Sequence, residues 1–376
     1  MVLHRDGQPL FPLGMYERPR NDDEWRAWSE AGVNLVCCHS REQLDEAARW
    51  GMFGWVPVPA VLAEGDDGAE LAAAVEAGKD HPALAAWEAP DEAIWGTGRV
   101  AEGVHEMSVW RLSPDVVAKV VARQDAVVAG LERGTRLIRR LDPGRPIWLN
   151  EAVNSDQETL ARCASSLDVV GFDWYPIPSR PERPMNLMGK HVERFGRTAP
   201  RRELWIVEQA FSWPHVVRTE DPDVLPTADE LRFMAWQAII HGATGLLWWG
   251  SFSTDRSTGF MDALMSVVAE FRGLHPLLHA GELPNVRIDT YFRQYPTVLG
   301  IGHLARRVRD PRLGDRALLV LVNEDGYRHD VVLRGLDDVG FDRMRQIAGP
   351  PEEVVRVPEG HATRMVGYEV RIYATG

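Results

Sequence analysis

Cysteine is scarce in this chain, three residues in 376, and two of them are adjacent at Cys37 and Cys38, which excludes a disulfide framework. The spacings C-x-x-C, H-x-H and H-E-x-x-H do not occur, so neither structural zinc nor a metal held by two neighbouring ligands is expected. A glycine-rich G-x-G-x-x-G turn after the first apolar run is missing too, which argues against a doubly wound dinucleotide-binding sheet. Basic residues are outnumbered, 42 Lys and Arg against 55 Asp and Glu, for a net charge of −13. Nucleic acid and anionic membrane surfaces reward clustered cations and are therefore not expected partners. Long apolar runs are lacking: nothing approaches the ~20 residues that span a bilayer, and the opening MVLHRDGQPL has no signal-like apolar core. A soluble chain is expected, either cytoplasmic or secreted with its signal already removed.

What is present is a repeating alternation of short apolar runs and amphipathic stretches. Phe11–Tyr16, 33–39, 51–58, 83–87, 145–151, 167–175, 203–211 and 245–249 read as eight strands. Helical patterns fill the gaps between them, among them 21–31 ended by Gly32, a run from about Pro114 after the cap Ser113, and 227–241 opened by Thr227 and Glu230. Eight strands alternating with helices imply a (β/α)8 TIM barrel, which takes about 250 residues. After about Leu283 the pattern turns to short alternating runs, RALLVLV at 316–322, 330–333 and YEVRIY at 368–373. The expected organisation is a catalytic barrel over 1–283 and an accessory β-sandwich over 284–376.

One stretch carries the chemistry: HPALAAWEAPDEAIW, from His81 to Trp95, leads an apolar strand directly into acids. By the two-residue strand period Glu88 and Glu92 share a face, so a Glu88 that points into the barrel sets Glu92 at its mouth. Barrel active sites lie at the C-terminal strand ends. The polar residues there are His39, Asp91, Glu92, Asn150, Glu151, Asp173, Tyr175 and Glu208. Glu208 closes the apolar run Leu204–Val207 and shares the face of Leu204 and Ile206, where an unpaired charge is costly. It must be paired, protonated or exposed at the mouth. Glu88 reads as a buried structural acid and a reserve catalytic candidate, as does Glu151, and His39 as a packed polar residue.

W-E-x-x-D-E-A at 87–93 resembles the W-E-x-x-N-E-P ending of the fourth strand in retaining glycoside hydrolases of the clan A barrel type. LWIVEQ at 204–209 resembles the end of their seventh strand, and DVVGFDWYP at 168–176 that of their sixth. The resemblance implies that Glu92 is the acid/base, Glu208 the nucleophile, Tyr175 its hydrogen-bond donor, and Trp248 or Trp249 the floor of a sugar site. Asp91 stands where the family has Asn, and Ala93 where it has Pro. His39, Asp91, Asn150, Asp173 and Tyr175 are expected to contact substrate. The implied partner is an oligo- or polysaccharide, with no cofactor or metal, and a homo-oligomer stays open. Two other readings have a sequence basis: a metal-dependent hydrolase or lyase using His39, Glu151, Asp173 and Glu208, and a non-catalytic carbohydrate-binding barrel. The insertion 96–112 and the Pro-rich loop 176–184 are expected to wall the cleft.

Overall fold

A computed structural model describes residues 3–5, 7–97, 113–291, 299–310, 314–351 and 353–375. Eight parallel strands close into a barrel: β1 (Leu13–Met15), β2 (Leu35–Cys37), β3 (Phe53–Pro57), β4 (Leu84–Glu88), β5 (Ile147–Ala152), β6 (Val169–Trp174), β7 (Glu203–Gln209) and β8 (Gly245–Trp249). β8 pairs with β1 to complete the ring. The helices between them are α1 (Asp22–Ala31), α2 (Arg41–Arg49), α3 (Ala69–Gly78), α4 (Pro114–Leu141), α5 (Gln157–Cys163), α6 (Met188–Thr198), α7 (Ala228–Ile240) and α8 (Phe260–Phe271). The expected barrel is therefore present, its strands shorter at most ends than the apolar runs suggested.

Local chemistry sets the helix limits. Asn21 accepts from the Glu24 N–H at the start of α1, and Gly32 ends it at φ 110°, a left-handed conformation that glycine adopts without strain. Ser113 caps α4 ahead of Pro114. Thr227 and Glu230 form the reciprocal capping box of α7.

The interior of the barrel is identified by an aromatic ladder. Tyr16, directly after β1, meets Trp55 of β3 at 5.2 Å between ring centroids, Trp55 meets Trp148 of β5 at 5.4 Å, and Trp148 meets Trp205 of β7 at 5.2 Å. Side chains of alternate strands reach one another in this way only across the inside of a closed barrel. Leu35, Ala86, Val207 and Leu247 pack with the ladder. Their sequence neighbours Leu204, Ile206, Leu246 and Trp248 belong to the larger core between strands and helices.

C-terminal to the barrel lie two four-stranded antiparallel sheets. One comprises β9 (Arg287–Tyr291), β12 (His329–Arg334), β14 (Val355–Val357) and β15 (Gly360–Met365). The other comprises β10 (Ile301–Asp310), β11 (Gly314–Asn323), β13 (Arg345–Ala348) and β16 (Val370–Ala374). β11 is apolar on both faces for a reason. Ala317, Leu319 and Leu321 face the other sheet, whereas Leu318, Val320 and Val322 join the core of the barrel.

Candidate active site

The ladder decides which strand-end residues look into the mouth. On β4 it places Ala86 and Glu88 inward, and Glu88 is buried, accepting from the Trp55 indole N–H at 2.9 Å and the Tyr16 hydroxyl at 3.2 Å. Burial, and then the nearby charge of Asp91, push its pKa up to about 8. On β5, Asn150 faces inward and donates from Nδ2 to Asp91 Oδ1 at 3.0 Å. A Cβ built on Gly171 would stand 3.2 Å from Asn150 Oδ1 and 2.9 Å from Trp148 Nε1, so Gly171 of β6 also faces inward. Two residues on in each step, Asp173 and Tyr175 do the same.

Four carboxylates thus converge. Asp91 is exposed to solvent on one side, yet the surrounding protein raises its pKa despite the bond from Asn150. Glu92 is half-buried, and its backbone adopts φ 50°, a conformation that costs a residue with a Cβ on the order of 1 kcal/mol. The Glu92 N–H donates to the Asn150 carbonyl at 3.0 Å, which holds that turn over β5. Glu92 and Asp173 stand near enough for the state of one to act on the other. Burial raises both pKa values, and the charge of Glu92 raises that of Asp173 further.

An aromatic wall stands beside the acids. Tyr175 stacks on Trp249 at 5.5 Å with 24° between planes, and Phe211 meets both edge-on. Trp213 packs against Phe211, and Phe252, 54% exposed, continues the wall outward from Trp249.

Other expected residues lie elsewhere. Glu208 shares the outer face with Leu204 and Ile206, because Trp205 and Val207 are the residues of β7 that face the ladder. It is 0% exposed and accepts from the Trp248 indole N–H at 3.1 Å, with its second oxygen unpartnered. Burial raises its pKa well above the usual carboxylate range. The expectation that Glu208 reaches the mouth is thus corrected: Tyr175 and Glu208 lie on opposite faces of the sheet. Glu151 is also on the outer face, not in the cleft. Its oxygens accept from the Ile94 and Trp95 N–H groups at 2.8 and 3.1 Å and from the Ser155 hydroxyl at 2.6 Å, so it clamps the loop that carries Glu92. Trp248 is buried among the helices, which leaves Trp249 as the member of that pair facing the mouth. His39 is exposed at the end of β2 and bound to its own loop, its N–H donating to Gln43 Oε1 at 2.7 Å. Residues 98–112 of the expected cleft wall lie outside the described residues. Among the described residues no group of three His, Cys, Asp or Glu is arranged to hold a metal ion, and no helix is long and apolar enough to cross a membrane.

Reading the strand ends for acids alone missed Tyr16, Trp55 and Glu17. Tyr16 closes the first apolar run, so its position at a strand end was the available signal. Glu17 accepts from the Gly250 and Ser251 N–H groups at 2.9 and 3.2 Å and ties the end of β1 to the loop after β8.

No family model and no curated protein matches this sequence. Solved structures do. The chain is similar to a β-galactosidase from Bacillus circulans sp. alkalophilus at TM-score 0.61 and 9% identity, with 100% of both chains covered. It is similar to a glycoside hydrolase family 5 protein from Bacteroides vulgatus at TM-score 0.56 and 14% identity, covering 99% of this chain and 91% of that one. A β-galactosidase from the psychrophilic Marinomonas ef1 matches 72% of this chain at TM-score 0.50 and 15% identity, and this chain spans 62% of that enzyme's length. At such identities the likeness concerns architecture, and the chain has the (β/α)8 barrel with a C-terminal β domain that also occurs among glycoside hydrolases of the clan A type.

Proposed function

We propose that this protein is a glycoside hydrolase that acts on an oligo- or polysaccharide with retention of configuration. The observation that carries the reading is the convergence of Glu88, Asp91, Glu92 and Asp173 at the C-terminal end of the barrel, beside the wall of Tyr175, Trp249 and Phe252. Glycosidic cleavage needs a proton for the leaving oxygen and a second carboxylate near the anomeric carbon. Aromatic faces stack on the apolar faces of sugar rings. Glu92 is the acid/base in this reading: it is half-buried, its pKa is raised toward working pH, and its turn is fixed by Asn150 and Glu151. The likeness of the barrel to those of β-galactosidases and a family 5 protein supports the same class.

The test is turnover on a panel of aryl glycosides and polysaccharides, which fixes class and sugar together. Glu92→Ala is then expected to lose activity on poor leaving groups, keep much of it on activated aryl glycosides, and recover partly with azide. Equal loss on both substrate types, without an azide response, would take the acid/base role away from Glu92.

A further inference from the structure

We infer that Glu151 is the positioning residue of the acid/base: from the outer face of β5 its carboxylate fixes the turn that carries Glu92, and so sets where the proton is delivered. This rests on the glycosidase reading above and deepens it, because it gives a part in the reaction to a residue that lies behind the sheet and cannot touch substrate.

The chain from β4 into this turn is held to β5 in steps. The Trp87, Ala89 and Glu92 N–H groups donate to the carbonyls of Pro146, Trp148 and Asn150 at 3.0, 2.7 and 3.0 Å. Past Glu92 a side chain takes over from the backbone. The Ile94 N–H donates to Glu151 Oε1 at 2.8 Å and the Trp95 N–H to Oε2 at 3.1 Å. The Ser155 hydroxyl donates to Oε2 at 2.6 Å and steadies the carboxylate from its own strand end. Each oxygen thus has a donor from the turn. A Gln at this place would set its NH2 group against one of the two N–H groups.

An acid here is costly, which is why its presence calls for a reason. Glu151 is 0% exposed, and its neighbours on the same face, Leu149 and Val153, are apolar core residues. Burial pushes its pKa up to about 7 although all three bonds pull the other way. What the cost secures is a strained backbone. Glu92 holds φ 50°, and such a conformation persists only where its surroundings over-determine it. Asn150 grips the turn at Glu92 itself, Glu151 grips it at Ile94 and Trp95, and the Gly96 N–H closes back onto the Glu92 carbonyl at 2.9 Å. Without the grip of Glu151 the backbone at Glu92 relaxes toward negative φ and carries the acid/base away from the leaving oxygen. A displacement of ~1 Å at a reacting group can cost about a hundredfold in rate.

The experiment uses the full chain, Glu151→Gln and Glu151→Ala, and two aryl glycosides of a sugar that the wild type turns over, one with an activated and one with a poor leaving group. The quantity read is kcat/KM, which includes the step that protonates the leaving oxygen. It should fall about 10- to 100-fold on the poor leaving group and at least about tenfold less on the activated one. The variants would then share the signature of Glu92→Ala while keeping Glu92. Amide hydrogen exchange over residues 92–97 should be at least about tenfold faster than in the wild type. Glu324→Ala, at the junction of α7 and the C-terminal sheets, is the control for lost stability and should leave the ratio of the two rates as in the wild type. Circular dichroism checks that each variant is folded. Ser155→Ala, which removes one donor of the three, gives the same signature at smaller size should neither Glu151 variant fold. Equal loss on both leaving groups, or unchanged exchange over 92–97, overturns the inference and leaves the glycosidase reading standing. A Glu92→Ala variant without the leaving-group signature overturns the inference together with the role of Glu92. A wild-type chain that turns over no glycoside in the panel overturns the glycosidase reading and with it the part assigned to Glu151.

Discussion

The acids at the barrel mouth and those at the seam between α7 and the C-terminal sheets are built into the molecule differently. At the seam Glu324 accepts from Gln237 Nε2 at 2.7 Å and from His241 Nε2 at 2.9 Å, and the other ring nitrogen of His241 meets Glu193 at 2.8 Å. Burial opposes the charged imidazole, but the bonds to Glu324 and Glu193 outweigh it and raise the pKa of His241. Each acid there has a donor or a cation. At the mouth the acids lean on one another: Glu92 on Asp173, Glu88 under the charge of Asp91. Folding alone rewards the first arrangement and is opposed by the second, so the mouth is where a cost in stability has to be explained by chemistry.

Four measurements break or sharpen this contrast. Removal of the chain beyond Leu283 has the largest expected effect, because Leu304, Leu318, Val320, Val322, Val370 and Ile372 belong to the core of the barrel. At ~1.5–3 kcal/mol for each buried side chain the loss is on the order of 10 kcal/mol, and the barrel alone should be insoluble. A soluble truncated barrel with an unchanged Tm would show the seam to be superficial. Next, Glu324→Ala leaves His241 and Gln237 facing a vacancy and should cost ~3–5 kcal/mol in urea unfolding; a loss under about 1 kcal/mol would erase the distinction between the two sites.

The third effect is a pH dependence. Glu88 is neutral in the fold up to about pH 8 and ionises near 4.5 when unfolded. The folded state therefore binds more protons between these values, and stability falls as pH rises through that window, by on the order of a few kcal/mol. Glu88→Gln should flatten this slope. An unchanged slope would mean that Glu88 is already ionised in the fold. The smallest effect has the opposite sign to that at the seam: Glu92→Gln should raise Tm by a few degrees, ~0.5–1 kcal/mol, by relieving the crowding of acids while it lowers turnover. A fall in Tm would make Glu92 a structural acid like Glu324.

Much of this was legible in the sequence, and the residues show why. Parallel strands buried on both faces read as apolar runs, so all eight were found, with ends such as 11–12 and 167–168 trimmed where the ladder of hydrogen bonds stops. The C-terminal sheets were harder. β11 and β16 are apolar, but β10 carries Arg306, Arg307 and Arg309, and short strands such as β13 and β14 are polar enough to pass for loops. Glu88, Glu92, Asn150 and Asp173 were found because strand ends mark the mouth. Glu208 was misplaced because period two says which residues share a face and is silent on which face is inside. On β7 both choices, Leu204 with Ile206 and Trp205 with Val207, are equally apolar. Only the meeting of Trp205 with Trp148, far apart in sequence, decides between them.

That ladder has an optical consequence. Trp55, Trp148 and Trp205 lie within 5.4 Å of one another in succession, with planes inclined at 78° and 54°, so their indole transitions couple and should give a strong couplet in circular dichroism that vanishes when the barrel opens. All fourteen tryptophans precede Gly250. Indole emission therefore follows the barrel, and the C-terminal sheets, which hold tyrosine and phenylalanine only, can melt without directly dimming it.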